Sequence, residues 1–78
     1  MNLEREILTV LQDMQGHLMT TNVIHSHVKL ATGVSKSLTD VRGALESLER
    51  KGQVNGLDHE DYGHRWKITD AGKFRLAE

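Results

Sequence analysis

The chain has 78 residues, 37% of them hydrophobic and 27% charged, with no cysteine and no proline. A single domain of this length has one modest core and little room for an enclosed reaction chamber, and no apolar run approaches the roughly 18 residues that span a bilayer. The net charge of −1 divides unevenly, −2 over residues 1–28, +2 over 29–51 and −1 over 52–78, so the middle third is the basic one, but only slightly, where a duplex-binding domain usually carries excess positive charge.

The first element is a helix. Leu3, Ile7, Val10, Leu11 and Met14 keep the three- and four-residue spacing of one helical face. Asn2 suits the N-cap, Glu4 and Glu6 suit the positive end of the helix dipole, and Gly16 is the expected stop. His17 to Thr20 is too short for a helix and reads as an extended stretch, an edge strand. Thr20, Thr21 and Asn22 are good caps, so a second helix starts there, with Val23, Ile24, Val28 and Ala31 as its apolar stripe and Thr32-Gly33 as its end.

Val34 to Lys36 connects to the third helix, which has the clearest pattern. Ser37 supplies a capping hydroxyl and Asp40 an acid three residues on, a variant of the capping box. Leu38, Val41, Ala44, Leu45 and Leu48 repeat on one face, and Gly52 follows the basic pair Arg50-Lys51 as a terminator. Beyond Gly52 the period changes. Val54 and Leu57 mark one strand, Asp58 to His64 a polar loop, and Arg65 to Thr69 a strictly alternating second strand: a β-hairpin. Thr69 or Asp70 caps a short final helix with Ala71, Phe74 and Ala77 expected inward.

The expected architecture is therefore α+β, a single domain over 1–78: a three-helix core, a C-terminal β-hairpin and a short last helix. The run Val41 to Val54 (VRGALESLERKGQV) resembles the recognition helix and following strand of winged helix-turn-helix regulators from bacteria and phages, and Trp66 to Gly72 (WKITDAG) resembles their second wing strand and the turn after it. The resemblance covers roughly residues 20–75. It implies a winged helix-turn-helix fold and a cytoplasmic DNA-binding protein of transcription regulation, with the third helix, about residues 37–51, in the major groove of double-stranded DNA. It also implies base-reading side chains at positions 38, 39, 42 and 43.

On a helical wheel, Lys36, Thr39, Asp40, Gly43, Ser47 and Arg50 lie opposite the apolar stripe, with Arg42 and Glu46 on the flanks. The candidate contacts are Lys36, Thr39, Arg42, Gly43, Ser47 and, beyond the wing loop, Arg65. Gly43 stands where resembling regulators carry a long side chain: either a backbone approaches closely there, or helix stability is not limiting. The wing loop carries Asp58, Glu60 and Asp61, which phosphate would repel, and this raises the alternative of a protein-interaction module whose acidic wing meets a basic partner. Such domains also work as homodimers, and helix 1 or the Phe74–Leu76 end would have to serve.

Other chemistries find little support. His59 and His64 sit among acids but match no established metal-ligand spacing, and His25 and His27 point about 200° apart on a helix. No metal and no cofactor are expected. There is no nucleophile elbow and no phosphate-binding glycine loop, so the chain is not expected to be an enzyme.

Overall fold

The computed structural model describes residues 2–14, 17–33 and 36–77. The elements follow in the order α1 (Leu3–Asp13), β1 (Met19–Thr20), α2 (Thr21–Thr32), α3 (Leu38–Arg50), β2 (Val54–His59), β3 (Gly63–Ile68) and α4 (Asp70–Ala77). The expected stop at Gly16 and the Val34–Ser35 part of the α2–α3 connection lie outside the described residues.

Local chemistry sets the helix starts. The side chains of Asn2, Thr20 and Ser37 accept from the backbone N–H groups of Arg5, Val23 and Asp40, at 3.2, 3.3 and 3.0 Å. Each satisfies a donor that the first helical turn leaves unpaired. Thr69 does the same for α4, its hydroxyl accepting from Gly72 N–H at 3.1 Å while donating to the Gly52 carbonyl at 2.7 Å. At the end of α3, Gly52 takes φ 74°. Its N–H bonds Glu49 O at 3.0 Å, and Gln53 N–H reaches back to Leu48 O at 2.9 Å. That doubled closure needs a left-handed residue after the helix, which glycine adopts at little cost.

The three strands form one antiparallel sheet in the order β1-β3-β2. The hairpin pairs Val54 with Ile68 and runs out to His59 opposite Gly63, so its turn is residues 60–62 and the wing loop is shorter than the polar run suggested. The two-residue β1 joins the other edge through Met19↔Trp66 and Thr20↔Arg65, as expected of an edge strand. Ile7, Leu8, Val10, Leu11, Met19, Ile24, Val28, Val41, Leu45, Leu48, Val54, Trp66 and Ile68 form the buried core. It is almost wholly aliphatic, with Trp66 as its one aromatic member.

Four expectations about the core are corrected. Leu38, at the head of the predicted α3 stripe, is 43% exposed, and α3 buries Val41, Leu45 and Leu48 instead. Leu8 is fully buried although it lies off the predicted stripe, because α4 packs over it and widens the buried arc of α1. Val23 and Ala31 are exposed on α2, whose core contribution is Ile24 and Val28. On α4 the predicted inward residues Ala71, Phe74 and Ala77 all face solvent, and the helix buries Gly72 and half-buries Arg75 and Leu76. A Cβ on Gly72 would collide with the Gln53 carbonyl and lie 3.2 Å from Leu8 Cδ2, so the helix backbone itself is the packed surface here.

Candidate nucleic-acid interface

α3 is wedged against α1 and α2 by Val41, Leu45 and Leu48, which leaves its N-terminal half facing outward. Thr39, Asp40, Arg42 and Gly43 are all exposed there. A Cβ added to Gly43 would meet nothing within 4 Å. Close packing inside the chain is therefore not what keeps this position glycine. Arg42 Nε lies 3.4 Å from Glu46 Oε1, an exposed pair one helical turn apart and of small energetic weight. The Lys36 carbonyl, just before α3, lies 2.6 Å from His25 Nε2. A carbonyl only accepts, so the bond takes the tautomer with hydrogen on Nε2 and ties the middle of α2 to the entry of α3. The wheel separates His25 from His27, and the structure gives His25 this bracing role.

Ser47 departs from the expected outward face. It is half-buried, and its hydroxyl donates to Glu4 Oε2 at 3.0 Å. The reason is the packing of the start of α1 against that flank of α3. Glu4 also receives Lys51 Nζ at 2.8 Å and Arg75 at 3.0 Å, and Arg75 donates further to Gln53 Oε1 at 2.8 Å. The Lys51 ammonium, followed by Arg75 and Ser47, holds the Glu4 carboxyl at about 2 against an ordinary 4.5, outweighing the upward push of partial burial. Part of the basic surplus of residues 29–51 is thus bound internally.

The wing is pinned to α3 by a carboxylate. Glu49 Oε2 accepts from Gly56 N–H at 3.1 Å, and a Cβ on Gly56 would strike both the Glu49 carboxylate and the His64 ring. His64 bonds Asp58 across the hairpin and sets its ring against Trp66, with centroids 4.5 Å apart. His59 Nδ1 accepts from Asp61 N–H at 3.0 Å and Tyr62 N–H at 3.3 Å, closing the turn. Both loop histidines therefore have structural work, and no group of three His, Cys, Asp or Glu suited to a metal ion occurs among the described residues. Arg65 is half-buried at the wing, its guanidinium 5.1 Å from the centroid of the Tyr62 ring, a cation–π contact.

Between α3 and the wing runs an open trough. One end is lined by Thr20, Thr21 and Asn22 at the start of α2, with Tyr62 and Gly63 from the wing; the other by Glu46, Glu49, Arg50 and Asp58; Arg42, His64 and Trp66 border both. Trp66 Nε1 donates to Thr21 Oγ1 at 3.0 Å and so fixes the start of α2 beside the sheet. Of the predicted contacts, Arg42 lines this trough, Thr39 and Gly43 stay outward on the same helix, and Ser47 is turned away. Thr21, Asn22, Tyr62 and His64 line the trough although no sequence pattern marks them as interface residues (Thr21 and Asn22 read only as helix caps), because only the chain's tertiary course brings the α2 start to the wing.

Comparison with known proteins bears on the fold. No protein-family model matches the chain, and no curated protein matches it in sequence. The structure is similar to hsRosR in the hsRosR-S4 complex, with TM-score 0.85 at 18% identity over 99% of this chain and 64% of that one. It is also similar to TA0346 from Thermoplasma acidophilum, a candidate transcriptional regulator, with TM-score 0.82 at 22% identity over 96% of this chain and 71% of that one. The chain thus spans about two thirds of the length of these neighbours. The fold is a winged helix-turn-helix, α+β, with four helices and a three-stranded antiparallel sheet. No helix among the described residues is long and apolar enough to cross a membrane.

Proposed function

We propose that the chain is a DNA-binding domain of transcription-regulator type, with α3 entering the major groove and the wing flanking it. The observation that carries this reading is the outward N-terminal half of α3, where Thr39, Arg42 and the side-chain-free Gly43 stand exposed in a fold shared with a candidate transcriptional regulator. Thr39 and Arg42 supply hydrogen bonds to base edges or phosphates, Lys36 supplies charge at the helix entry, and Gly43 lets a backbone approach. Arg65, whose guanidinium lies 5.1 Å from the centroid of the Tyr62 ring, supplies a phosphate contact from the wing in this reading. Ser47, engaged by Glu4, has no part in it.

The test is a fluorescence titration of wild type, Arg42→Ala, Thr39→Ala and Lys36→Ala against several duplexes at two salt concentrations. A lost base contact costs about 1–3 kcal/mol on the preferred sequence only, whereas a lost phosphate contact weakens all sequences alike and lowers the salt slope by about one. The melting temperature should move little, since none of the three residues belongs to the core.

A specific observation favours a second reading. Glu46, Glu49 and Asp58 line the trough with Arg42 and Arg50, and Glu60 and Asp61 stand at the wing tip. A trough of mixed charge with an acidic rim suits a basic protein partner better than it suits phosphate. Absence of duplex binding at low salt would favour this reading over the first.

A further inference from the structure

The tip of the wing is closed through one ring nitrogen. Residues 60–62 turn the chain between His59 and Gly63, which pair across the hairpin. The backbone N–H groups of Asp61 and Tyr62 both donate to His59 Nδ1, at 3.0 and 3.3 Å. The His59 ring also lies against the Tyr62 ring, with centroids 4.7 Å apart, and the Tyr62 ring meets the Arg65 guanidinium. One imidazole therefore holds the backbone of the turn and, through Tyr62, part of the wall of the trough.

A backbone N–H only donates, so Nδ1 accepts with its lone pair. The ring is then the neutral tautomer with its hydrogen on Nε2. A further proton has only the Nδ1 lone pair to occupy. Proton uptake and the two turn bonds exclude each other, because an imidazolium sets its own N–H against two other N–H groups. Histidine is the side chain whose charge ordinarily changes between about pH 5 and 8.

We infer that the wing tip is a proton-gated turn, closed by neutral His59 and released when His59 takes up a proton. The groups around the ring pull both ways. Glu60 and Asp61 in the turn and Asp58 beside it favour a cation, while the two N–H groups resist one. Asp58 is already answered by His64 across the hairpin, and Arg65 reaches the ring only through Tyr62. Arg42, Glu46, Glu49 and Arg50 of α3 share the trough with Asp58 and His64. Strand alternation turns His59 to the other face of β2. Release parts Tyr62 from Arg65 and reshapes the end of the trough where Tyr62 stands opposite the start of α2. The gate belongs to the wing itself and rests on neither functional reading.

The experiment is an NMR titration of the whole chain, without DNA, between about pH 7.5 and 5.5, where histidine titrates and carboxylates, at about 4, do not. Ring nitrogen shifts give the tautomer and charge of His59. Solvent exchange of the Asp61 and Tyr62 amides, corrected for its intrinsic pH dependence, gives the state of the turn. The hydrogen should sit on Nε2 at the upper pH, and both amides should lose protection in step with His59 protonation. His59→Asn should abolish the response and keep the turn closed throughout, since an Asn side-chain oxygen accepts from the same N–H groups and does not titrate. His59→Ala should leave both amides unprotected at every pH. His64→Asn should retain the wild-type response. Amides that stay protected while His59 titrates overturn the proposal, as does a neutral ring with its hydrogen on Nδ1. A response that persists in His59→Asn, or disappears in His64→Asn, overturns it too and assigns the titration to another group.

Discussion

At the scale of single residues, Gly43 and Glu4 show how a local feature can carry two different meanings. Glycine inside a helix costs about 1 kcal/mol relative to alanine. The open space around Gly43 means nothing within the chain compensates for that. Gly43→Ala should therefore stabilise the domain by about 1 kcal/mol, raising the melting temperature by about 4–8 °C. If the groove of a duplex approaches the backbone here, the same variant binds DNA less well. A thermal melt and a titration together separate the two effects, and a variant that melts higher and binds equally would remove Gly43 from the interface.

Glu4 was legible only as a favourable charge in the first turn of α1. Its larger role, joining α1 to Lys51, Arg75 and Ser47, depends on contacts 43 to 71 residues away in sequence. Its folded-state carboxyl titrates near 2, below the ordinary 4.5, so the unfolded chain binds more protons between those values. The Glu4 contribution is fully present above about pH 4.5 and is lost as the pH falls toward 2. Glu4→Gln should cost about 1–3 kcal/mol at neutral pH, and its stability should fall less steeply than wild type on acidification below pH 4.5, measured by urea denaturation across pH.

Among the elements, the helices with a sharp boundary chemistry were the readable ones. Ser37, Asn2 and Thr20 cap as their types suggest, and Gly52 ends α3 in the left-handed conformation. α4 misled because in eight residues the apolar positions 71, 74 and 77 form a plausible stripe, while the packed face is Gly72, Arg75 and Leu76, of which only Leu76 is a residue that a hydrophobic pattern registers. The hairpin was readable as strands, yet its attachment to α3 was not: the Glu49–Gly56 bond joins an acid that looks like ordinary helix surface to a glycine that looks like a loop. Gly56→Ala should displace His64 and Glu49 and loosen the wing. The loss would be visible as faster hydrogen exchange across β2 and β3 while α1 and α2 keep their protection. Uniform protection in the variant would show that the wing does not depend on this close approach.

For the whole molecule, composition and period were enough to reach three helices, a hairpin and an aliphatic core, because each follows from local periodicity and caps. The candidate interface was legible only in part. The wheel puts Thr39 and Gly43 outward and Arg42 on the flank, and all three are exposed; it puts Ser47 outward as well, and packing by the start of α1 removes it. Charge is the least local property of all. The basic middle third looks available in sequence, but Lys51 answers Glu4 and Arg42 answers Glu46, while Asp58, Glu60 and Asp61 stay exposed at the wing. Replacing those three acids by Asn or Gln should leave the melting temperature nearly unchanged and raise low-salt affinity for non-specific duplex. Unchanged affinity would place the wing away from phosphate.

The claim that this winged helix binds DNA is tested most directly by titrating wild-type protein into a labelled random-sequence duplex over a salt series from about 20 to 200 mM. Counterion release predicts measurable binding at the lowest salt and a log-linear fall in affinity as salt rises, with a slope near −0.9 for each phosphate neutralised. No binding at any salt, or binding indifferent to salt, would contradict it.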